Sequence, residues 1–278
     1  NSPSLYLIPT PIGNLEDITY RAVKVLEEVE VIFSEDTRVT LNLLNNFGIK
    51  KKLISLHDHN EDILKEKVLE YLKNGKSVGL VTDRGTPIIS DPGYKTVKYI
   101  SDNNYNVIAI PGATAFVPAL ISSGISSQPF LFYGFLNSKD SKRRDELEML
   151  KDNEYTIIFY EAPHRILKTL NMMLEIFGNR DISISREITK KFETIYRGKI
   201  NDLIANIPEK GEFVIVVSGC GDKNIDFSIS IKDAVNLYIN AGLDVMSSIK
   251  KVAKERNVPK NEIYKEYHKE DWLFWSWW

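Results

Sequence analysis

The chain has 278 residues, 43% of them hydrophobic, a formal net charge of −2 and one cysteine, Cys220. That length holds two ordinary domains with real cores, and nothing in the composition favours disorder. One cysteine excludes an intrachain disulfide and a cysteine-based metal cluster, and the near-neutral sum excludes a global pull toward nucleic acid, so such a partner has to be met by local basic faces.

Short apolar runs alternate with helical patterns from the start. The expected strands are Tyr6–Ile8, Val31–Phe33, Leu53–Ser55, Ser77–Val81 and Asn106–Ile108, with helices over 19–29, 37–46, 60–74 and 92–103 between them. This makes residues 1–112 one α/β unit with a largely parallel sheet. After PGAT (111–114) the pattern restarts, with helix 114–122, strand 130–134, helix 141–150, strand 155–159, helix 163–177, strand 181–185 and a last strand at Phe213–Val217, a second α/β unit over 113–222. Two such units leave a cleft between them, where ligands usually sit.

Beyond 231 the texture is helical only, over 232–240, 245–256 and 260–268. The breaks at Gly242 and Pro259 make 231–269 a small helix-turn-helix-like unit available for RNA contacts. The Trp-rich end, 270–278, which follows a polar helix, is expected to be a tail outside the native fold. Residues 103–138 carry no charge, but Pro111, Pro118 and Pro129 interrupt them, so they read as linker, helix and strand and not as a membrane span. The apolar run Leu5–Ile8 is too short for a signal peptide and lacks a basic flank, which gives a cytoplasmic expectation.

Standard nucleotide motifs fail on inspection. NGKS (74–77) lacks the first P-loop glycine, because position 70 is Glu, and it leads into a strand. GCG (219–221) has no third glycine and no following helix. His57 and His59 share one side of an extended segment, but no further ligand is fixed by sequence, so no metal is expected. What stands out is four loops rich in Pro, Gly and Asp, each directly behind an apolar strand: PTPIGN (9–14), SEDTR (34–38), TDRGTPIISDPG (82–93) and PGAT (111–114). In an open α/β sheet ligands bind at the carboxyl ends of strands, so the four point to one site.

Together with FLFYGFL, YEAPHR and REITKKFE, in this order, these loops resemble the family of small-subunit ribosomal RNA cytidine 2′-O-methyltransferases, in the tetrapyrrole-methylase-like superfamily. The resemblance covers about residues 5 to 219. It implies two α/β domains of the tetrapyrrole methylase type with an S-adenosylmethionine cleft between them, and transfer of methyl to a cytidine ribose of 16S ribosomal RNA. The partner implied is the small subunit or its RNA, and the superfamily implies a homodimer. The alternatives are a tetrapyrrole methyltransferase and a non-catalytic RNA-binding assembly protein.

Carried over position by position, the resemblance implies a cofactor site of Pro9, Pro11, Asp83, Gly85, Thr86, Ile88, Ile89, Ser90, Ala113 and Thr114, with Tyr133, Gly134 and the run around Phe213 and Val214 as walls. Asp91, Pro92 and Gly93 are expected to start the next helix. Arg84 departs from the family pattern, which has a small residue there. Proton removal and substrate contact are expected from polar clusters at strand ends: Glu161, His164 and Arg165; Arg186, Glu187 and Lys190; and Glu35, Asp36 and Arg38. Basic candidates for RNA phosphates are SKDSKRR (138–144), HRILK (164–168), Lys190, Lys191, Arg197 and Lys199, and the lysines of the last helices.

Overall fold

The computed structural model of the chain describes residues 2–221, 229–256 and 258–269. They form two compact units, Asn1–Gly219 and Cys220–Trp278; the Trp-rich tail lies outside the described residues.

The first unit holds two five-stranded sheets. In the first sheet β1 (Ser4–Leu7), β2 (Val31–Ser34), β3 (Lys52–Ser55), β4 (Val78–Val81) and β5 (Asn106–Ala109) are ordered β3-β2-β4-β1-β5. Every pair is parallel. β2 and β4 are buried at every residue, as strands covered on both faces must be. The covers are helices α1 (Tyr20–Glu28), α2 (Thr37–Asn46), α3 (Glu61–Lys73) and α4 (Tyr94–Asp102). Alternation along the strands separates two cores. Leu5, Phe33 and Leu80 pack with Val68, Leu72 and Ile100 on one face; Ile8, Ile32 and Val81 pack with Leu26 and Leu44 on the other. All four strand-end loops leave from one edge, because all strands run the same way.

The second sheet follows α5 (Phe116–Ser122), which starts two residues later than expected. Its strands are β6 (Phe130–Phe135), β7 (Thr156–Glu161), β8 (Asp181–Arg186), β9 (Thr194–Lys199) and β10 (Phe213–Val217), ordered β6-β7-β10-β8-β9. Only β6 and β7 run parallel. Helices α6 (Asp140–Leu150), α7 (Ile166–Phe177) and the short α8 (Ile200–Leu203) complete it. The sequence pattern gives no warning of β9 or α8. TIYRGK is an edge strand with charge and a glycine in place of a clean apolar alternation, and its outer half is exposed. α7 begins at Ile166 and not at 163, because Ala162–Arg165 closes a turn, Arg165 N–H donating to the Ala162 carbonyl at 3.0 Å.

The second unit, taken by itself, is three helices: α9 (Ile231–Asn240), α10 (Val245–Glu255) and α11 (Lys260–Tyr267). Ser230 and Asp244 cap the first two, accepting from the Asp233 and Ser247 N–H groups at 3.0 Å each. Val235, Ile249, Val252 and Ile263 form its core with no exposure.

Candidate functional site

The loops at the edge of the first sheet are fastened to one another. Thr10 and Gly85 exchange backbone hydrogen bonds of 3.0 Å in both directions, joining the loop after β1 to the loop after β4. Thr86 Oγ1 donates to the Ala113 carbonyl at 2.9 Å, joining the β4 and β5 loops. The Asp36 N–H donates to Asp83 Oδ1 at 2.9 Å, bringing in the loop after β2. Gly85 has φ +82°, and a Cβ on it would lie 3.1 Å from Ile12 Cγ2, so a side chain would both strain this junction and push the β1 loop away.

Backbone strain gathers in the same place. Ile88 (φ +76°) and Ser90 (φ +63°) occupy the left-handed region, which costs a β-branched residue most. Glu187 (φ +53°) and Thr189 (φ +65°) do the same in the turn after β8. Among the described non-glycine residues only Asn104 shares this conformation. Such positions cost of order 1–3 kcal/mol each and persist where a binding surface is being shaped. Between the two strained turns lies a cavity of about 430 Å³. Its walls include Gly85, Thr86, Ile89, Ser90 and Asp91 from the first sheet's loops, Thr114 and Ala115 before α5, and Tyr160, Ile188, Phe213 and Val214 from the second sheet's side. Aliphatic and aromatic walls with a few polar groups are the makeup of a small-molecule site, and the volume fits a nucleoside-sized ligand.

Two electrostatic features mark the cavity. Asp91 lines it, and burial, followed by repulsion from the Glu35 carboxylate, pushes its carboxyl up to about 6 against a hydrogen bond from Thr82. Glu35 is itself raised, by burial and by Asp83. At the rim, Arg84 pairs through Nη1 with Glu212, and Lys190 Nζ reaches Glu212 Oε2 at 2.6 Å and Glu187 Oε1 at 3.0 Å. Burial alone would raise the Glu187 carboxyl, but the Glu212 N–H and Lys190 outweigh it and hold it below its ordinary value. The stem of Lys190 lies on Gly13, where a Cβ would come within 2.6 Å of it. The chain Arg84–Glu212–Lys190 therefore spans the rim from the β4 loop to the turn after β8. Arg84 neither fills the cavity nor points away from it; it lines the cavity edge with its side chain half exposed.

Of the residues expected at the cofactor, Gly85, Thr86, Ile89, Ser90 and Thr114 line the cavity, with Phe213 and Val214 opposite. Pro9, Pro11, Asp83, Ile88, Ala113, Tyr133 and Gly134 do not. Pro9 is buried beneath the loops, Ile88 turns into the first core, and Ala113 contributes its carbonyl to Thr86. Gly134 sits behind Ser90, its Cβ position 3.1 Å from that hydroxyl. Tyr133 packs on the far side of the second sheet, its ring 5.6 Å from Phe159. The register of β6 shifts between Phe132 and Gly134, and this bulge decides which side chains face the cleft. Tyr160 and Phe135 take the place expected of Tyr133.

The polar clusters separate in the same way. Glu161 lines the cavity but its side chain is 1% exposed, held by Arg165 Nη2 at 2.8 Å, Thr169 Oγ1 at 2.6 Å and the Ala162 N–H at 2.7 Å. Glu161 and Arg165 thus brace the turn into α7. Asp36 caps α2, and hydrogen bonds from the Arg38 side chain and N–H lower its carboxyl to about 2. Neither Asp36 nor Arg38 reaches the cavity walls, and Arg186 is spent on the Lys210 carbonyl at 2.6 Å. His164 is exposed and outside the walls. Within 138–144, Arg143 is buried against Asp140 and Arg144 pairs with Glu175, so this segment offers phosphates mainly Lys139 and Lys142. Asp91, expected to start the next helix, lines the cavity instead, while Gly93 precedes α4 with no side-chain cap; Tyr160, Ile188 and Glu212 are wall residues that the sequence does not single out. Only Asp91, inside the elaborate loop, carried a signal.

Among the described residues no helix is long and apolar enough to cross a membrane. The profile of the family described as Tetrapyrrole (Corrin/Porphyrin) Methylases matches residues 4–204. A relative in Bacillus subtilis (strain 168), "Ribosomal RNA small subunit methyltransferase I", is 47% identical over 273 residues, 95% of this chain and 94% of the relative. Its counterpart of the same name in Halalkalibacterium halodurans is 45% identical over 275 residues, 96% of this chain and 95% of the relative. The solved structure of the methyltransferase CobJ shares the fold at 16% identity, with a TM-score of 0.58 over 78% of this chain and 95% of that one. The chain belongs to the tetrapyrrole methylase family, in the branch of the ribosomal RNA small subunit methyltransferase I proteins.

Proposed function

We propose that this chain transfers methyl from S-adenosylmethionine to the ribose 2′-hydroxyl of a cytidine in 16S ribosomal RNA. The observation that carries the reading is the cavity between two strained turns, built on the strand-end loops that carry the family resemblance, in a chain 47% identical to a ribosomal RNA small subunit methyltransferase I. The residues present fit the donor. Ile89, Ile188, Phe213 and Val214 give apolar walls for a nucleoside and the carbon chain beside the sulfonium, and the left-handed turn through Ile88 and Ser90 shapes the polar side of the cavity.

Bound S-adenosylmethionine supplies a methyl already activated by its sulfonium, so the protein has to orient, exclude water and take a proton. Asp91 is the group at the cavity suited to receive the proton of the 2′-hydroxyl. With a carboxyl raised to about 6, it is mostly ionised at neutral pH and a stronger base than an ordinary aspartate. Glu161 and Arg165, engaged with each other, hold the α7 turn in place of taking the proton. The Arg84–Glu212–Lys190 bridge ties the β4 loop to the turn after β8 and fixes the shape of the rim.

The substrate in this reading is the small ribosomal subunit or its RNA, the setting is the cytoplasm, and the working form is the homodimer that the family resemblance implies. Labelled S-adenosylmethionine with unmethylated small subunits, followed by mass spectrometric location of the label, tests the reaction. Label on a cytidine ribose supports it, and label on a base or no transfer to RNA refutes it. Sedimentation velocity at micromolar concentration tests the dimer, which a species of single-chain mass would overturn.

A further inference from the structure

A second cavity, of about 280 Å³, opens on the same strand-end edge of the first sheet. It lies between the loop after β1, the outer face of α2 and the turn Thr82–Arg84. Arg84 lines both cavities, so the chamber and the cleft adjoin at this residue. The volume sits just below the range of about 300–1,000 Å³ usual for drug-sized ligands, which suits one nucleobase and excludes a tetrapyrrole macrocycle.

Its chemistry is also that of a base reader. Leu15 and Val39, 46% and 40% exposed, offer apolar surface for the faces of a ring. Asn42 projects an amide with no partner among the described residues, so both its donor and its acceptor are available. Asp83 has one carboxylate oxygen occupied by the Asp36 N–H at 2.9 Å and a second oxygen to accept with. Cytosine presents an exocyclic amine beside two acceptors, which a carboxylate and an amide complement.

We infer that this chamber receives the base of the target cytidine, flipped out of the RNA, so that its ribose lies toward Arg84 and the methyl-donor cleft. The inference rests on the RNA methyltransferase reading above and adds where the nucleoside is held. Extrusion of a base gives up its stacking and pairing, which apolar faces and edge contacts of this kind replace.

The test uses the full chain with unmethylated small subunits and labelled S-adenosylmethionine, comparing wild type, Asn42→Ala and Asn42→Trp. Asn42→Ala is expected to raise KM for subunits about tenfold and to lower the preference for cytidine over uridine at the target position, the loss of one edge contact. Asn42→Trp, which fills the chamber, is expected to cut transfer about 100-fold. Calorimetric affinity for S-adenosylmethionine should stay within about twofold in both, because Asn42 is outside the cleft. If Asn42→Trp loses donor binding or its folded circular dichroism, Asn42→Ala alone decides. Wild-type kcat/KM and wild-type base preference in Asn42→Ala would overturn the inference while leaving the reaction intact. Failure of the wild-type chain itself to methylate RNA would overturn the reaction, and the nucleoside assignment with it.

Discussion

The two walls of the cleft are made by different means. The first sheet is wholly parallel, so the loops after β1, β2, β4 and β5 emerge from one edge and lock together through Thr10–Gly85, Thr86–Ala113 and Asp36–Asp83. The second sheet is mixed, with a bulge in β6, and meets the cleft through the ends of antiparallel neighbours: Tyr160 near the end of β7, Phe213 and Val214 at the start of β10, and Ile188 in the strained turn after β8. In a parallel sheet direction alone decides where loops converge. In an antiparallel sheet neighbouring ends alternate, and register and bulges decide which residue faces the ligand.

The comparison breaks most sharply at Asp91, the one cavity residue of the first wall whose carboxyl is displaced to about 6. Asp91→Asn should lower kcat by about 10²–10⁴-fold, the usual size of a general-base contribution, in steady-state methylation assays. The wild-type rate should rise with pH through about 6 and flatten above it, and the variant should lose that limb. The stability sign is opposite to that of a paired aspartate. A carboxyl raised in the folded state loses stability as pH climbs from its unfolded value near 3.9 through about 6. Asp91→Asn should therefore melt no lower than wild type at pH 7–8, and a clear drop would mean that Asp91 is a structural cap and not a base.

Glu161 tests the other wall. Removing one partner of a buried pair costs about 3–5 kcal/mol, so Glu161→Ala should lower the melting temperature by roughly 6–20 °C, read by circular dichroism. Lost activity with unchanged melting would return Glu161 to catalysis. Gly85→Ala places a Cβ at φ +82° beside Ile12; the strain of about 1–2 kcal/mol should weaken S-adenosylmethionine binding about tenfold by calorimetry, with little effect if the junction is not part of the donor site. The smallest change is expected for Arg84→Ala. The Arg84–Glu212 pair has both side chains about half exposed, which limits its worth to under about 1 kcal/mol. Melting should move by less than about 4 °C, while donor dissociation in stopped flow should accelerate if the bridge restrains the rim.

Much of this was legible in the residues. Alternating apolar runs place all five strands of the first sheet and its four helices within two or three residues of where they fold. The loop TDRGTPIISDPG announces itself as a site, because no simple turn needs two Asp, two Gly and two Pro. Local chemistry of this kind is written along the chain, since a parallel strand buried on both faces has to be apolar and its end has to carry the turn residues. The family motifs likewise fix the ligand class before any coordinate is known.

Tertiary structure alone decided the rest. YEAPHR and REITKKFE look alike as polar strand ends, yet packing spends Glu161 on Arg165 and Arg186 on a carbonyl, and sends Lys190 to the rim. A one-residue bulge sends Tyr133 into a core and leaves the wall to Tyr160. Arg84 is a departure in sequence and a bridge in space, because Glu212 lies 128 positions away. A charge's role depends on which partner the fold brings beside it, and the cost of leaving it unpaired is set by burial, which no local pattern records.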